Sequence, residues 1–200
     1  RFQKRFGFEL EEKTKTLIQQ AIAADILCAL EKYRIINELR IIAKEELPLK
    51  CVAELVRLNA LKCLHPGLAT RADWLEFVER FEKMISDIPA MKALGKAKKW
   101  KITVLALTYP LDHLQIEELG KQLKLSSSSL TSIRTSRDLA EWMRDNSHNI
   151  SGASASEIYS SLKEREIEEV AYAASACNGT ELMSRIKEYI KALYCCTVET

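Results

Sequence analysis

The chain has little of what many fold classes require. Its 200 residues include only six glycines and four prolines, too few for the turn-dense all-β architectures. No apolar run approaches the roughly 18 to 20 residues that span a bilayer, so no membrane partner is expected. No secretory signal pattern opens the chain. Charge of one sign is also scarce: 30 basic residues against 28 acidic leave +2. Residues 1–100 carry 19 basic and 14 acidic groups and the remainder 11 and 14, so the modest basic excess is N-terminal. That permits a polyanionic partner without demanding one. Cys28, Cys51, Cys63, Cys177, Cys195 and Cys196 form neither a C-x-x-C pair nor a dense framework, so neither zinc nor disulfides are expected. They read as mostly buried thiols in a reducing, cytoplasmic setting. The remaining composition, rich in Ala, Leu, Glu, Lys and Ile, favours helix.

The apolar spacing predicts an all-α, elongated array of about eleven helices. Gly7 ends a first helix, and a second covers residues 11–24 with Thr14, Leu17, Ile18, Ala21 and Ile22 as its stripe. A third covers 27–46, and Pro48 opens a fourth. His65, Pro66 and Gly67 break the pattern. Trp74, Phe77, Val78, Phe81, Met84, Ile85 and Ile88 then keep helical spacing without a miss. A lysine-rich connection leads to a short buried helix over 102–109, and further helices occupy 115–123 and 127–145. Ser154 and Glu157 have the spacing of a capping box. Helices at 167–176 and around Leu182, Ile186 and Ile190 complete the chain. The organisation expected is a first unit over 1–67 and a second over 68–200.

Familiar catalytic arrangements are missing. There is no glycine-rich phosphate loop and no D-x-D pair for magnesium, and His65, His113 and His148 sit at joints without a second ligand at i+4. No catalytic and no metal-binding residue is assigned. Glu164, Glu166, Glu168 and Glu169 alternate with Lys163 and Arg165 and read as a solvated helix face. The basic positions stand out more. Lys92, Lys96, Lys98, Lys99 and Lys101 carry no acid between them, and Trp100 offers an anchor. Such a stretch suits phosphate contacts. Arg1, Lys4 and Arg5 make a second basic edge, and Arg134 and Arg137, three residues apart on one helix face, a third. The stretch 119–134 also imitates a helix-turn-helix, with Arg134 and Arg137 on its second helix, though four serines replace the expected base-reading side chains.

The segments Arg1-Phe-Gln-Lys-Arg-Phe-Gly-Phe8, Arg34-Ile-Ile-Asn-Glu-Leu39, Pro48 and Leu61-Lys-Cys-Leu-His-Pro66, in this order and spacing, resemble the class II tRNA nucleotidyltransferase and bacterial poly(A) polymerase superfamily. The resemblance implies that residues 1–67 are the neck and RNA-binding region and 68–200 the body and part of the tail. It implies that Arg34 and Glu38 brace the neck, although Tyr33 stands where the family has Glu. It also implies a partner, tRNA gripped at its acceptor stem and T-arm. Catalytic carboxylates and the base-reading motif would lie in a head domain upstream of Arg1. The chain itself would need no cofactor, while its parent would use Mg2+ with ATP and/or CTP. Contact residues expected on this reading are Arg1, Lys4, Arg5, Lys96, Lys98, Lys99, Arg134 and Arg137. A-form RNA is recognised by shape and phosphate, which fits scattered basic groups on rigid helices. The rival readings are a helical protein-interaction module and a helix-turn-helix DNA-binding protein.

Overall fold

The computed structural model describes residues 2–88, 91, 94–177 and 179–196. Among them are α-helices, three short 3-10 segments and no strand, the all-α array expected. In chain order the helices are α1 (Phe2–Phe6), α2 (Glu12–Ala23), α3 (Lys32–Ile42), α4 (Pro48–Arg57), α5 (Ala72–Asp87) and α6 (Lys96–Thr108). They continue with α7 (His113–Leu123), α8 (Ser127–Asp145), α9 (Ser147–Gly152), α10 (Ala155–Leu162), α11 (Ile167–Ala176) and α12 (Thr180–Cys196).

Two helices sit at the centre because, beyond their charged first turns, they are apolar or small on nearly every side. Residues 102–108 of α6 are buried without a break, and so are residues 168–175 of α11. Helix α11 packs against α5, α6, α8 and α12, and α4 lies on α5 and α6. The apolar cluster runs without interruption from Ile36 to Ile190, across the position of the sequence break at 65–67. Helix α5 buries Trp74, Phe77, Val78, Phe81, Met84 and Ile85, and Trp74 Nε1 donates to the Ala106 carbonyl at 2.9 Å. Hydroxyls inside the array return to their own helices, as Ser175 does to Ala171 O and Thr108 to Val104 O. That satisfies them without a partner elsewhere.

The expected cap forms, and α8 has one as well. Ser154 and Glu157 make their reciprocal bonds, and Ser126 Oγ accepts from the Ser129 amide. Gly7 ends α1 at φ 68, a value that a side chain would strain.

Four expectations need correction. The stripe of α2 is only partly covered, with Ile22 its one buried member, Thr14, Ile18 and Ala21 half-buried and Leu17 exposed. The expected third helix breaks: Asp25 takes a left-handed conformation, Ile26–Ala29 form a 3-10 turn, Leu30 is extended, and helix resumes at Lys32. From Lys96 onward the lysine-rich connection is itself the first turn and a half of α6, and Lys92 lies outside the described residues. Finally, Cys28 and Cys63 are joined by a disulfide across a separation of 35 residues. Spacing rules miss this pair because two 3-10 turns, at Ile26–Ala29 and Ala60–Cys63, carry the cysteines together. Cys51 and Cys177 are buried as expected.

Candidate nucleic-acid interface

Helix α6 starts after Gly95, which is extended, so Lys96, Lys98 and Lys99 fall in its first turn. Cations there oppose the helix dipole and call for counter-charge. The start of α11 supplies it. Lys98 Nζ lies 2.8 Å from Glu168 Oε1, an ion pair without hydrogen-bond alignment. Lys101 Nζ lies 3.0 Å from both Glu166 Oε2 and Glu169 Oε1. Lys99 Nζ donates to the Glu45 carbonyl at 2.9 Å. Lys98 and Lys101 are therefore compensated by acids about 70 residues away, which no reading of adjacent residues shows. Lys96 is exposed and Lys98 is 47% exposed, whereas Lys99 and Lys101 are more enclosed; Lys92 lies outside the described residues.

The expected solvated glutamate face holds for Glu164 and Glu166 only. Glu168 is 0% exposed and Glu169 is buried, because α11 begins at Ile167 and turns both toward α6. The alternation with Lys163 and Arg165 misleads because those residues belong to the preceding turn. Ser132 Oγ donates to Glu169 Oε1 at 2.7 Å, and a hydrogen bond from Lys101 holds the Glu166 carboxyl below its ordinary range.

A cleft of about 270 Å3 opens at this place, lined by Lys98, Trp100, Lys101, Ser128, Ser129 and Glu166 among others. It joins the first turn of α6 to the first turn of α8. Two helix N-termini, two serines and a half-exposed lysine form a surface suited to an anionic oxygen. Trp100 is half-buried beneath it, with the Arg40 guanidinium carbon 6.0 Å from the ring centroid.

The remaining basic candidates separate into two kinds. Arg134 is half-exposed and pairs with Glu117 of α7. Arg137 turns inward: its Nη1 donates to Leu111 O at 2.7 Å and to Thr108 O at 3.3 Å, closing the end of α6. The arginines share a helix but not an occupation. Arg34 and Glu38 are exposed on α3, at the rim of an apolar cleft of about 200 Å3, and among the described residues neither makes an ion pair. Lys4 and Arg5 lie on α1, and Arg1 lies outside the described residues.

The helix that the helix-turn-helix reading would place on DNA has one face committed to the core. The would-be recognition helix, α8, packs along α11 and buries Ile133, Ser136, Ala140 and Met143. Of its two arginines, Arg137 turns inward and Arg134 stays half-exposed beside Glu117.

Sequence order hides one further basic group. Arg80 Nε donates to Ser175 O at 3.0 Å, and Cys177 Sγ meets Ala140 O at 3.5 Å, one turn before the exposed Arg144. Arg80 and Arg144 thus flank the end of α11. Beside them Tyr109 stacks on Phe77 at 3.9 Å, and burial raises its phenol above the ordinary value.

His65 is structural: Nδ1 accepts from the Gly67 amide at 3.0 Å, leaving Nε2–H to donate to Glu118 at 3.1 Å. Magnesium would need several oxygen ligands around one point. Among the described residues one grouping has metal-ligand spacing, Asp25 with Cys28 and Cys63, and its two sulfurs are joined in the disulfide. That set does not fit magnesium. Among the described residues no helix is long and apolar enough to cross a membrane.

No family model matches the chain. The A-adding tRNA nucleotidyltransferase of Geobacter sulfurreducens is 31% identical over 111 residues, which are 56% of this chain and 13% of that protein. A solved CCA-adding enzyme in its apo form superposes with a TM-score of 0.72 at 21% identity, covering 100% of this chain and 46% of that one. The Thermotoga maritima CCA-adding enzyme complexed with tRNA gives 0.71 at 22% identity, covering 94% of this chain and 45% of that one. The chain thus spans less than half the length of the solved structures it matches.

Proposed function

With its sequence and fold both similar to the tRNA nucleotidyltransferase superfamily, we propose that this helical array holds tRNA by its backbone phosphates while nucleotides are added at the 3′ end by another part of the same enzyme. The observation that carries the proposal is the cleft where the first turns of α6 and α8 meet, with Lys98, Ser128 and Ser129 on its walls. Lys96, Lys98 and Arg134 are the phosphate contacts nearest this surface. Arg1, Lys4 and Arg5 provide a second edge. Lys99 and Arg137 act as positioning groups that fix the two ends of α6. Shape and phosphate suffice to grip the acceptor stem and T-arm, since A-form RNA presents both without base-specific reading. Mg2+ with ATP and/or CTP would serve the nucleotidyl-transferring part, in the cytoplasm.

A protein-interaction reading is favoured by one observation: Phe2, Phe6 and Phe8 are stacked on one another yet exposed, close in sequence to exposed Leu17. Under the proposal this apolar end is where the nucleotidyl-transferring part seats, so the two readings differ in RNA binding.

The test uses Lys96→Glu with Ser128→Glu. Both replacements put a carboxylate in the first turn of a helix, where it favours the helix dipole. Stability should hold or rise, while tRNA affinity should fall about tenfold or more as two anions enter the phosphate path. Unchanged tRNA affinity in the folded double variant overturns the proposal.

A further inference from the structure

We propose that Cys28 and Cys63 form a reversible thiol-modification site, closed and opened by exchange with low-molecular-weight disulfides and thiols of the glutathione class. The proposal stands apart from RNA binding and rests on four observations.

The site is built by paired local structure. Cys28 is the third residue of the turn Ile26–Ala29, entered through left-handed Asp25, and Cys63 closes the turn Ala60–Cys63, entered through left-handed Asn59. The Cα atoms are 4.7 Å apart, within the span that a disulfide bridges without moving the backbone. Access is the second observation. Cys28 is exposed and Cys63 half-buried, so an incoming thiolate reaches the Cys28 sulfur and Cys63 leaves. Cys51 and Cys177, by contrast, are buried, and burial pushes the Cys177 thiol up.

Charge is the third. Lys62 Nζ lies 2.7 Å from Asp25 Oδ1, and the Cys28 sulfur lies 3.7 Å from the same oxygen. The ammonium offsets the carboxylate that would otherwise repel a thiolate. The fourth is how weakly the first turn is otherwise held. None of Ile26–Ala29 is buried, and both Ile26 and Leu30 are exposed. Leu27 and Leu30 form one wall of the apolar cleft whose other members include Leu55 and Leu61, with Arg34 and Glu38 on its rim. The disulfide pins that wall, and its reduction releases it.

The chemistry balances in two exchanges. The Cys28 thiolate attacks an external disulfide to give a mixed disulfide and one released thiol. The Cys63 thiolate then attacks the Cys28 sulfur, forming the internal bond and releasing the second thiol. Two electrons pass from the cysteines to the external disulfide, and the two cysteine protons leave with the released thiols.

The experiment equilibrates the full chain with mixtures of reduced and oxidised glutathione. It is quenched in acid, alkylated with N-ethylmaleimide and analysed by peptide mass spectrometry. Expected is a concerted loss of label at Cys28 and Cys63 as the mixture becomes oxidising. Cys63→Ser should retain one glutathione on Cys28, and trypsin should cut within 24–34 in the reduced chain at least tenfold faster than in the oxidised one. Three results overturn the proposal: label at the two positions independent of the mixture, no adduct on Cys28 in Cys63→Ser, or protection of both reduced thiols by one equivalent of zinc with no response to oxidised glutathione.

Discussion

Replacing Arg137 and Arg134 by alanine separates the two occupations that one helix gives to neighbouring arginines. Arg137 donates to Leu111 O at 2.7 Å and Thr108 O at 3.3 Å from a half-buried position. Hydrogen bonds from a charged donor contribute about 1.5 to 3 kcal/mol, and a cation at a helix C-terminus about 0.3 to 1 kcal/mol more. The second bond is long, so Arg137→Ala should cost about 2 to 3 kcal/mol in total. In a chain of this size that lowers Tm by about 5 to 10 °C. Arg134 is half-exposed beside Glu117, and such surface pairs contribute only about 0 to 1 kcal/mol, so Arg134→Ala should shift Tm by less than about 4 °C. Thermal melts followed by circular dichroism read this difference directly. Titration with tRNA below both melting temperatures should show the reverse order. Arg134→Ala reduces the salt slope of binding by about 1, and Arg137→Ala leaves it unchanged. An Arg137→Ala chain that melts like the parent but loses a unit of slope would refute the assignment of Arg137 to the end of α6.

Acid should destabilise the fold, because hydrogen bonds from Arg71, Lys187 and Lys101 hold Asp73, Asp87 and Glu166 below their ordinary values of 3.8, 3.8 and 4.5. Their contribution is complete above those values and is lost as pH falls through the lower folded ones. Burial raises Tyr172, Tyr109 and Tyr189 above 10.0, so the unfolded chain ionises first and Tm should fall again beyond pH 10.0. A Tm series across pH checks both limbs, and a flat series contradicts them. Gly67→Ala should cost about 1 to 3 kcal/mol by overpacking, read from urea melts. Its Cβ would lie 2.7 Å from buried Leu111 Cδ2 and 3.0 Å from Gln115 Oε1, the atom that closes the cap of α7. Reducing Cys28–Cys63 should lower stability by about 4 kcal/mol, the loop-closure value for a separation of 35 residues. Cys28→Ser with Cys63→Ser should melt at the reduced chain's temperature.

Periodicity told most about the fold where burial is one-sided. The sequence places α8 at its observed bounds and finds every buried apolar residue of α5, because a stripe at helical spacing has one packing solution; the bounds of the all-round buried α11 also match, set by the breaks on either side of it. It failed at residues 25–31, where helix-favouring composition continues but Asp25 turns left-handed and breaks the ladder. The basic site was only partly legible. Lys98 and Lys101 read as uncompensated because Glu166, Glu168 and Glu169 are distant in sequence and reach them only when α11 docks on α6. Two buried carboxylates, Glu168 and Glu169, read as solvated for the same reason. Nothing local distinguishes Arg137 from Arg134, since their difference lies in which neighbouring helix end each meets. The cysteine pair depends on two 3-10 turns that no periodicity announces. One signal was available: Asp25 and Asn59 each precede a short apolar segment ending near a cysteine, and both residues tolerate the left-handed conformation.

The most direct test of a phosphate-gripping role is the salt dependence of tRNA binding by the intact chain, with duplex DNA of equal length as competitor. Four to six phosphate contacts predict a log–log slope of about −3 to −5 and a preference for tRNA at every salt concentration. Binding that ignores salt, or that favours the DNA duplex, contradicts the account.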